Sequence, residues 1–150
     1  MTEIHPDDPR RAALDAYCRA FEDLTPDRLD TLRAHCTDDV RFVDPFNDVR
    51  GIDRFVAIFA HMYRAMTAPR FEVLDRALGA EAGFIRWRFT GRLKGRAVAV
   101  EGMSEVRFDP ATVRVREHVD HWDAAGQVYA RLPVVGGAVR ALRRLFAAGV

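Results

Sequence analysis

The hydrophobic period of this chain changes near Pro69, and that change sets the order of its architecture. Before it, apolar residues recur at helical spacing. Leu14, Tyr17, Cys18, Phe21 and Leu24 follow the i, i+3, i+4, i+7 rule and predict an amphipathic helix over about 9–24. Thr25-Pro26-Asp27 then restarts a helix, with Thr25 as a natural N-cap and Pro26 at the first helical position. Leu29 and Leu32 face inward on it, and it should end near Cys36. The broadest stripe is Ile52, Phe55, Val56, Phe59, Met62, Tyr63 and Met66, a third helix.

After Pro69 the period falls to two. A strand is expected over 71–78. Next, Ile85, Trp87, Phe89 and Gly91 face one way while Arg86, Arg88 and Thr90 face the other. Arg92-Leu93-Lys94-Gly95 reads as a hairpin turn, and the returning strand aligns Val98, Val100, Gly102, Ser104, Val106 and Phe108 on one face. Asp109-Pro110-Ala111 turns the chain into a last strand over 112–122. The expected class is α+β, with N-terminal helices packed on one face of a curved antiparallel sheet.

Composition narrows the function. A chain of 150 residues is one domain by length, and 49% hydrophobic with 30% charged residues is ordinary for a soluble globular protein. A formal net charge of +1 argues against nucleic acid as a partner. Cys18 and Cys36 form no CxxC and no metal knuckle. The start of the chain is polar, without an apolar signal core, and no apolar run approaches the roughly 18 residues of a membrane span. The expected setting is therefore cytoplasmic. Phosphate-cradling glycine loops and a GxSxG elbow are absent, so no cofactor is expected.

Val43-Asp44-Pro45 closes the short strand Val40–Asp44 with a carboxylate. Val40, Phe42 and Asp44 alternate onto one face, so the acid shares its side with apolar residues, a setting that suits a proton acceptor. The alternative is that Asp44 caps the turn that follows, since Asp-Pro also marks a strand end. On the last strand Val113, Val115 and Val119 take one parity, and Arg114, Arg116, His118, Asp120 and Trp122 the other. Trp122 is costly to expose, and Gly102 and Ser104 on the preceding strand leave room and a hydroxyl. That second face should therefore emerge into solvent at Arg114 and Arg116 and enter a pocket at His118, Asp120 and Trp122. His118 beside Asp120 suits proton transfer; the plainer reading is a satisfied polar pair supporting Trp122. His118 and Asp120 at i, i+2, with Asp44, are also a conceivable metal set, but no HExxH or Cys/His group accompanies them, and no metal is expected. His35 and His61 are assigned no chemistry.

The element order resembles the cone-shaped α+β fold of the nuclear transport factor 2 (NTF2) superfamily, and within it the SnoaL-like and ketosteroid-isomerase-like branch, over about 9–125. The resemblance rests on Asp38-Asp39-Val40-Arg41-Phe42-Val43-Asp44-Pro45 before the third helix, Ser104-Glu105-Val106-Arg107-Phe108-Asp109 ending a long strand, and Asp120-His121-Trp122-Asp123 after the last one. It implies a proton-shuttling carboxylate at Asp44, a phenol donor at Tyr17 and a second donor position at Ser104. The isomerase pattern has a carboxylic acid at that last position, so steroid isomerisation is not implied here. In the SnoaL-like cyclases a carboxylate near the last strand's end is the expected acid/base, which falls at Asp120.

The implied cavity is lined by Phe59, Tyr63, Trp87, Phe89, Ser104 and Trp122, and holds a small hydrophobic molecule. A non-catalytic ligand-binding or assembly module is the competing expectation.

Two surface features complete the reading. Arg86 and Arg88 lie opposite Glu101 across the hairpin and predict cross-strand ion pairs on a solvated or dimer-facing surface; a homodimer is expected. An amphipathic helix is expected over about 134–147, with Val135, Val139, Leu142, Leu145 and Phe146 opposite Arg140, Arg143 and Arg144. It should cover the pocket mouth or a partner subunit, or lie on an anionic membrane surface.

Overall fold

A computed structural model describes residues 4–129 together with Gly136 and Gly137. Apart from Gly136 and Gly137, the helix expected over 134–147 lies outside the described residues. Helix α1 (Pro9–Glu22) begins where Asp8 accepts a hydrogen bond from the Arg10 amide at 2.9 Å, with proline at the first helical position. Its inward stripe is Leu14, Tyr17, Cys18 and Phe21. Helix α2 (Ile52–Ala65) buries Ile52, Phe55, Val56 and Phe59.

Both helices pack on a six-stranded sheet made of β1 (Cys36–Val43), β2 (Asp48–Arg50), β3 (Met66–Leu78), β4 (Gly83–Leu93), β5 (Arg96–Phe108) and β6 (Val115–His121), in the spatial order β2-β1-β6-β5-β4-β3. A short helix α3 (Ala124–Gln127) follows. Gln127 ties it to the sheet: its side-chain amide accepts from the Glu101 amide at 2.8 Å and donates to the Glu101 carbonyl at 2.9 Å.

Three expectations are corrected. The segment expected as a second α-helix is a turn at Thr25–Arg28 and then a 3₁₀ helix, Leu29–His35. The Thr25 hydroxyl donates to Asp27 at 2.8 Å and caps nothing, although Leu29 and Leu32 are buried as read. Strand β3 starts at Met66, before Pro69, and absorbs the proline in a register shift between Thr67 and Arg70, with Ala68 at φ 50°. The sheet is not wholly antiparallel: β1 and β6 pair in parallel, with Phe42 opposite His118 and Val43 opposite Val119. Strand β1 closes onto the free edge of the β3–β6 meander, a non-local choice that hydrophobic period does not encode.

The most consequential detail is an irregularity in β6. Phe108 pairs with Val115 and Arg107 with Glu117, so Arg116 is an extra residue. The bulge switches parity. Val115 is 1% exposed before it and His118 is 4% exposed after it, so residues of opposite sequence parity enter the same core.

Candidate functional site

Tyr17, His118, Asp120, Ser104 and Trp87 form one hydrogen-bonded chain through the inside of the cone. Tyr17 Oη lies 2.7 Å from His118 Nδ1. His118 Nε2 lies 2.7 Å from Asp120 Oδ1. The Ser104 hydroxyl donates to the same Asp120 Oδ1 at 2.5 Å, and the Trp87 indole N–H donates to Ser104 Oγ at 2.8 Å. An ionised carboxylate only accepts, so Nε2 carries the proton in this pair.

Each member is placed by its element. Tyr17 projects from the buried stripe of α1 and is fully buried; that burial holds its phenol well above the ordinary tyrosine range, so it stays protonated. His118 enters through the β6 bulge, and its ring is enclosed by Tyr17, Phe21, Phe42 and Phe55, with ring centroids 5.2–5.8 Å away. Ser104 pairs with Asp120 across β5 and β6. Gly102 sits opposite Trp87 and has no side chain, and the indole lies over its Cα; a Cβ there would fall 2.6 Å from the ring.

Two donors thus converge on Asp120 Oδ1. Among the described residues nothing bonds Asp120 Oδ2. The Asp120 side chain is 15% exposed against 5% for His118. The network therefore runs from a sealed phenol to a partly exposed carboxylate.

Asp44 is placed differently. It follows Val43, whose partner Val119 precedes Asp120, so the two carboxylates lie at the same end of adjacent parallel strands. Asp44 Oδ1 accepts from the amides of Phe46 and Asn47, each at 2.7 Å, and from Asn47 Nδ2 at 3.0 Å; Oδ2 accepts from the same Nδ2 at 3.1 Å. This is the turn-capping geometry weighed for it above.

The residues expected to line a cavity divide into two groups. Phe59 is 5% exposed and packs edge-on against Phe21, Phe42, Phe55 and Phe71. Tyr63 donates to the Leu24 carbonyl at 2.7 Å, tying α2 to the end of α1, and Phe89 lies 4.8 Å from Phe71. These three serve the packing. Trp87 and Trp122 instead stand with Ser104 and Asp120, where the Trp87 ring and the Trp122 Cβ both crowd the space that a side chain at Gly102 would take.

Phe46 was not singled out by sequence. It is 54% exposed and packs at 5.6 Å against Trp122 and 5.8 Å against Tyr129. Its signal was its place in the turn that Asp44 caps.

A hollow of about 390 Å³ lies between α1 and β3, beside the Asp15–Arg76 ion pair, and another of about 340 Å³ lies beside His35, Phe108 and Arg114. Neither borders Asp120. Among the described residues there is no group of three or more His, Cys, Asp or Glu side chains placed to hold a metal ion, and no helix long and apolar enough to cross a membrane.

Helices inside a curved six-stranded sheet, with a polar chain reaching the end of its last strand, define an NTF2-like α+β cone. The chain belongs to the SnoaL-like domain family, whose model matches residues 14–118.

Structural likeness extends to a candidate SnoaL-like polyketide cyclase from Jannaschia sp. CCS1, at TM-score 0.68 and 16% identity over 84% of this chain and 94% of that one. It extends also to a protein of ketosteroid isomerase-like fold from Catenulispora acidiphila in complex with trimethylamine (TM-score 0.65, 18% identity, 87% and 96% covered). An epoxide hydrolase of the LEH-like type from M. tuberculosis is similar at TM-score 0.64 and 17% identity, with 93% and 97% covered. Identities this low carry the fold alone. No curated protein matches the chain.

Proposed function

We propose that the end of the cone marked by Asp120, Trp87, Trp122 and Phe46 binds a small hydrophobic or aromatic molecule, and that Asp120 exchanges a proton with it without a cofactor. The observation that carries this reading is the asymmetry of Asp120. Its Oδ1 is held by His118 and Ser104, while Oδ2 has no partner among the described residues and the side chain is 15% exposed. A carboxylate fixed through one oxygen presents the other as a directed proton acceptor, and such a group contributes typically about 10²–10⁴-fold to rate. His118 is the partner that supports this charge, and Asp44 is a second carboxylate at the same strand ends, with a lesser share in proton transfer because the turn occupies both its oxygens. Isomerisation, cyclisation and hydration all fall within this chemistry.

The test is native mass spectrometry on freshly purified protein and its Asp120→Asn variant, followed by turnover of any adduct found. A hydrophobic adduct retained by both, and converted by the wild type alone, supports the reading. Equal turnover by the two proteins overturns Asp120 as the proton-transfer group.

A second reading, a non-catalytic ligand-binding module, is favoured by the close aromatic packing around His118 and by the absence of Asp120 from the walls of both hollows. On that reading the adduct binds and is never converted.

We also propose a homodimer through the outer sheet face. Met103 is 43% exposed there, beside the Arg86–Glu101 and Arg88–Glu101 ion pairs at 3.7 and 2.7 Å. The same mass spectrum reads its mass.

A further inference from the structure

We infer that Tyr17 is a positioning residue that fixes the tautomer of His118, and not a donor to a bound molecule. The inference rests on the acid/base reading of Asp120 and assigns the group that sets it up. Tyr17 is 0% exposed and cannot touch a ligand at the accessible end. Its hydroxyl has one proton to give. The imidazole Nδ1 lies 2.7 Å away, and the other nearby polar side chain is the buried thiol of Cys36, a weak acceptor.

Donation to Nδ1 leaves the ring proton on Nε2, where it points at Asp120 Oδ1, 2.7 Å away. The opposite tautomer would set an unprotonated Nε2 against a carboxylate oxygen, two acceptors face to face. The phenol therefore selects the ring tautomer through which His118 holds Asp120 in place.

The groups facing His118 leave Tyr17 and Asp120 as its polar partners. From α1 come Tyr17 and Phe21, from β1 Phe42, from α2 Phe55, and from β6 itself Asp120. Ser104 of β5 reaches the pair only through Asp120, and His35 lies 6.3 Å beyond Tyr17 by ring centroids. None of the aromatic neighbours competes for either ring nitrogen.

The test is nitrogen NMR of the histidine rings in wild type and Tyr17→Phe, at one fixed pH and with no added ligand. The wild type is expected to show His118 with its proton on Nε2 and none on Nδ1. In Tyr17→Phe, Nδ1 loses its hydrogen-bond donor, and the share of rings carrying a proton on Nδ1 rises severalfold or more. A wild-type ring protonated on Nδ1 overturns the inference; so does an unchanged Nδ1-protonated share in Tyr17→Phe. The wild-type spectrum decides the matter even where the variant does not fold. Because no substrate is used, Asp120 can fail as a catalyst while Tyr17 still proves to set the tautomer, and the reverse.

Discussion

The indole of Trp87 occupies the space that a side chain at Gly102 would need. A Cβ there would lie 2.6 and 2.7 Å from ring carbons of Trp87 and 2.8 Å from the Trp122 Cβ. Glycine at this position brings a large ring onto the sheet so that its N–H reaches Ser104.

Gly102→Ala should therefore displace Trp87. Overpacking of this kind costs about 1–3 kcal/mol. Urea denaturation should show that loss together with a change in tryptophan emission from a wetter indole. An unchanged midpoint and spectrum would mean that the ring is free to move aside.

Ser104→Ala removes a donor to Asp120 and the acceptor of the Trp87 N–H. Leaving a part-buried donor unpaired costs about 1–3 kcal/mol. A double-mutant cycle with Trp87→Phe should show coupling of about 0.5 kcal/mol or more. Additive single effects would show that the two residues do not form one unit.

Lys94 and Gly95 form a two-residue hairpin loop between paired Leu93 and Arg96, with φ of 48° and 79°. Two left-handed residues in succession favour asparagine before glycine. Lys94→Asn should raise stability by a few tenths of a kcal/mol, up to about 1. Thermal unfolding checks the sign, and a lowered melting temperature contradicts the turn assignment.

Burial raises the Cys18 thiol from 9.0 to about 11 and the Cys36 thiol from 9.0 to about 12. Folded-state values above the unfolded ones favour the fold below pH 9, and this contribution is lost as the pH climbs from 9 towards 11 and 12. Stability should therefore decline above pH 9, less so in Cys36→Ala measured against its own neutral-pH value. At pH 8 the thiolate fraction of folded Cys18 should be about 100-fold below that of the unfolded chain, as thiol alkylation would report.

The inner faces of β4 and β5 were legible because alternation survives unbroken along both strands: Ile85, Val100, Ser104, Val106 and Phe108 are buried as their parity requires. The Arg88–Glu101 pair followed from the same hairpin register. Placing Val115 and His118 in one core was not legible, because the extra residue at Arg116 breaks that alternation without a glycine or proline to mark it. Nor did spacing reveal that Phe59 and Phe89 would pack against Phe71, or that Tyr63 would bond the Leu24 carbonyl. A helical or strand face shows which side is apolar, not whether the space before it is filled. Asp44 carried two readings in its sequence, and the three donors on its Oδ1 show how it serves the turn.

The two carboxylates should separate by magnitude. Asp44→Asn keeps an acceptor for the turn amides, so both stability and turnover should change little, by less than about tenfold in rate. Asp120→Asn removes the accessible proton acceptor and should cost about 10²-fold or more. Equal losses would make the pair a single unit.

The most direct measurement is proton exchange itself: deuterium incorporation from D₂O into a panel of small aromatic carbon acids, followed by NMR in wild type and Asp120→Asn. The account predicts that a compound bound by both proteins exchanges in the wild type at least about 10²-fold faster than in the variant. Equal exchange in the two, or none in a compound shown by line broadening to bind, would contradict it.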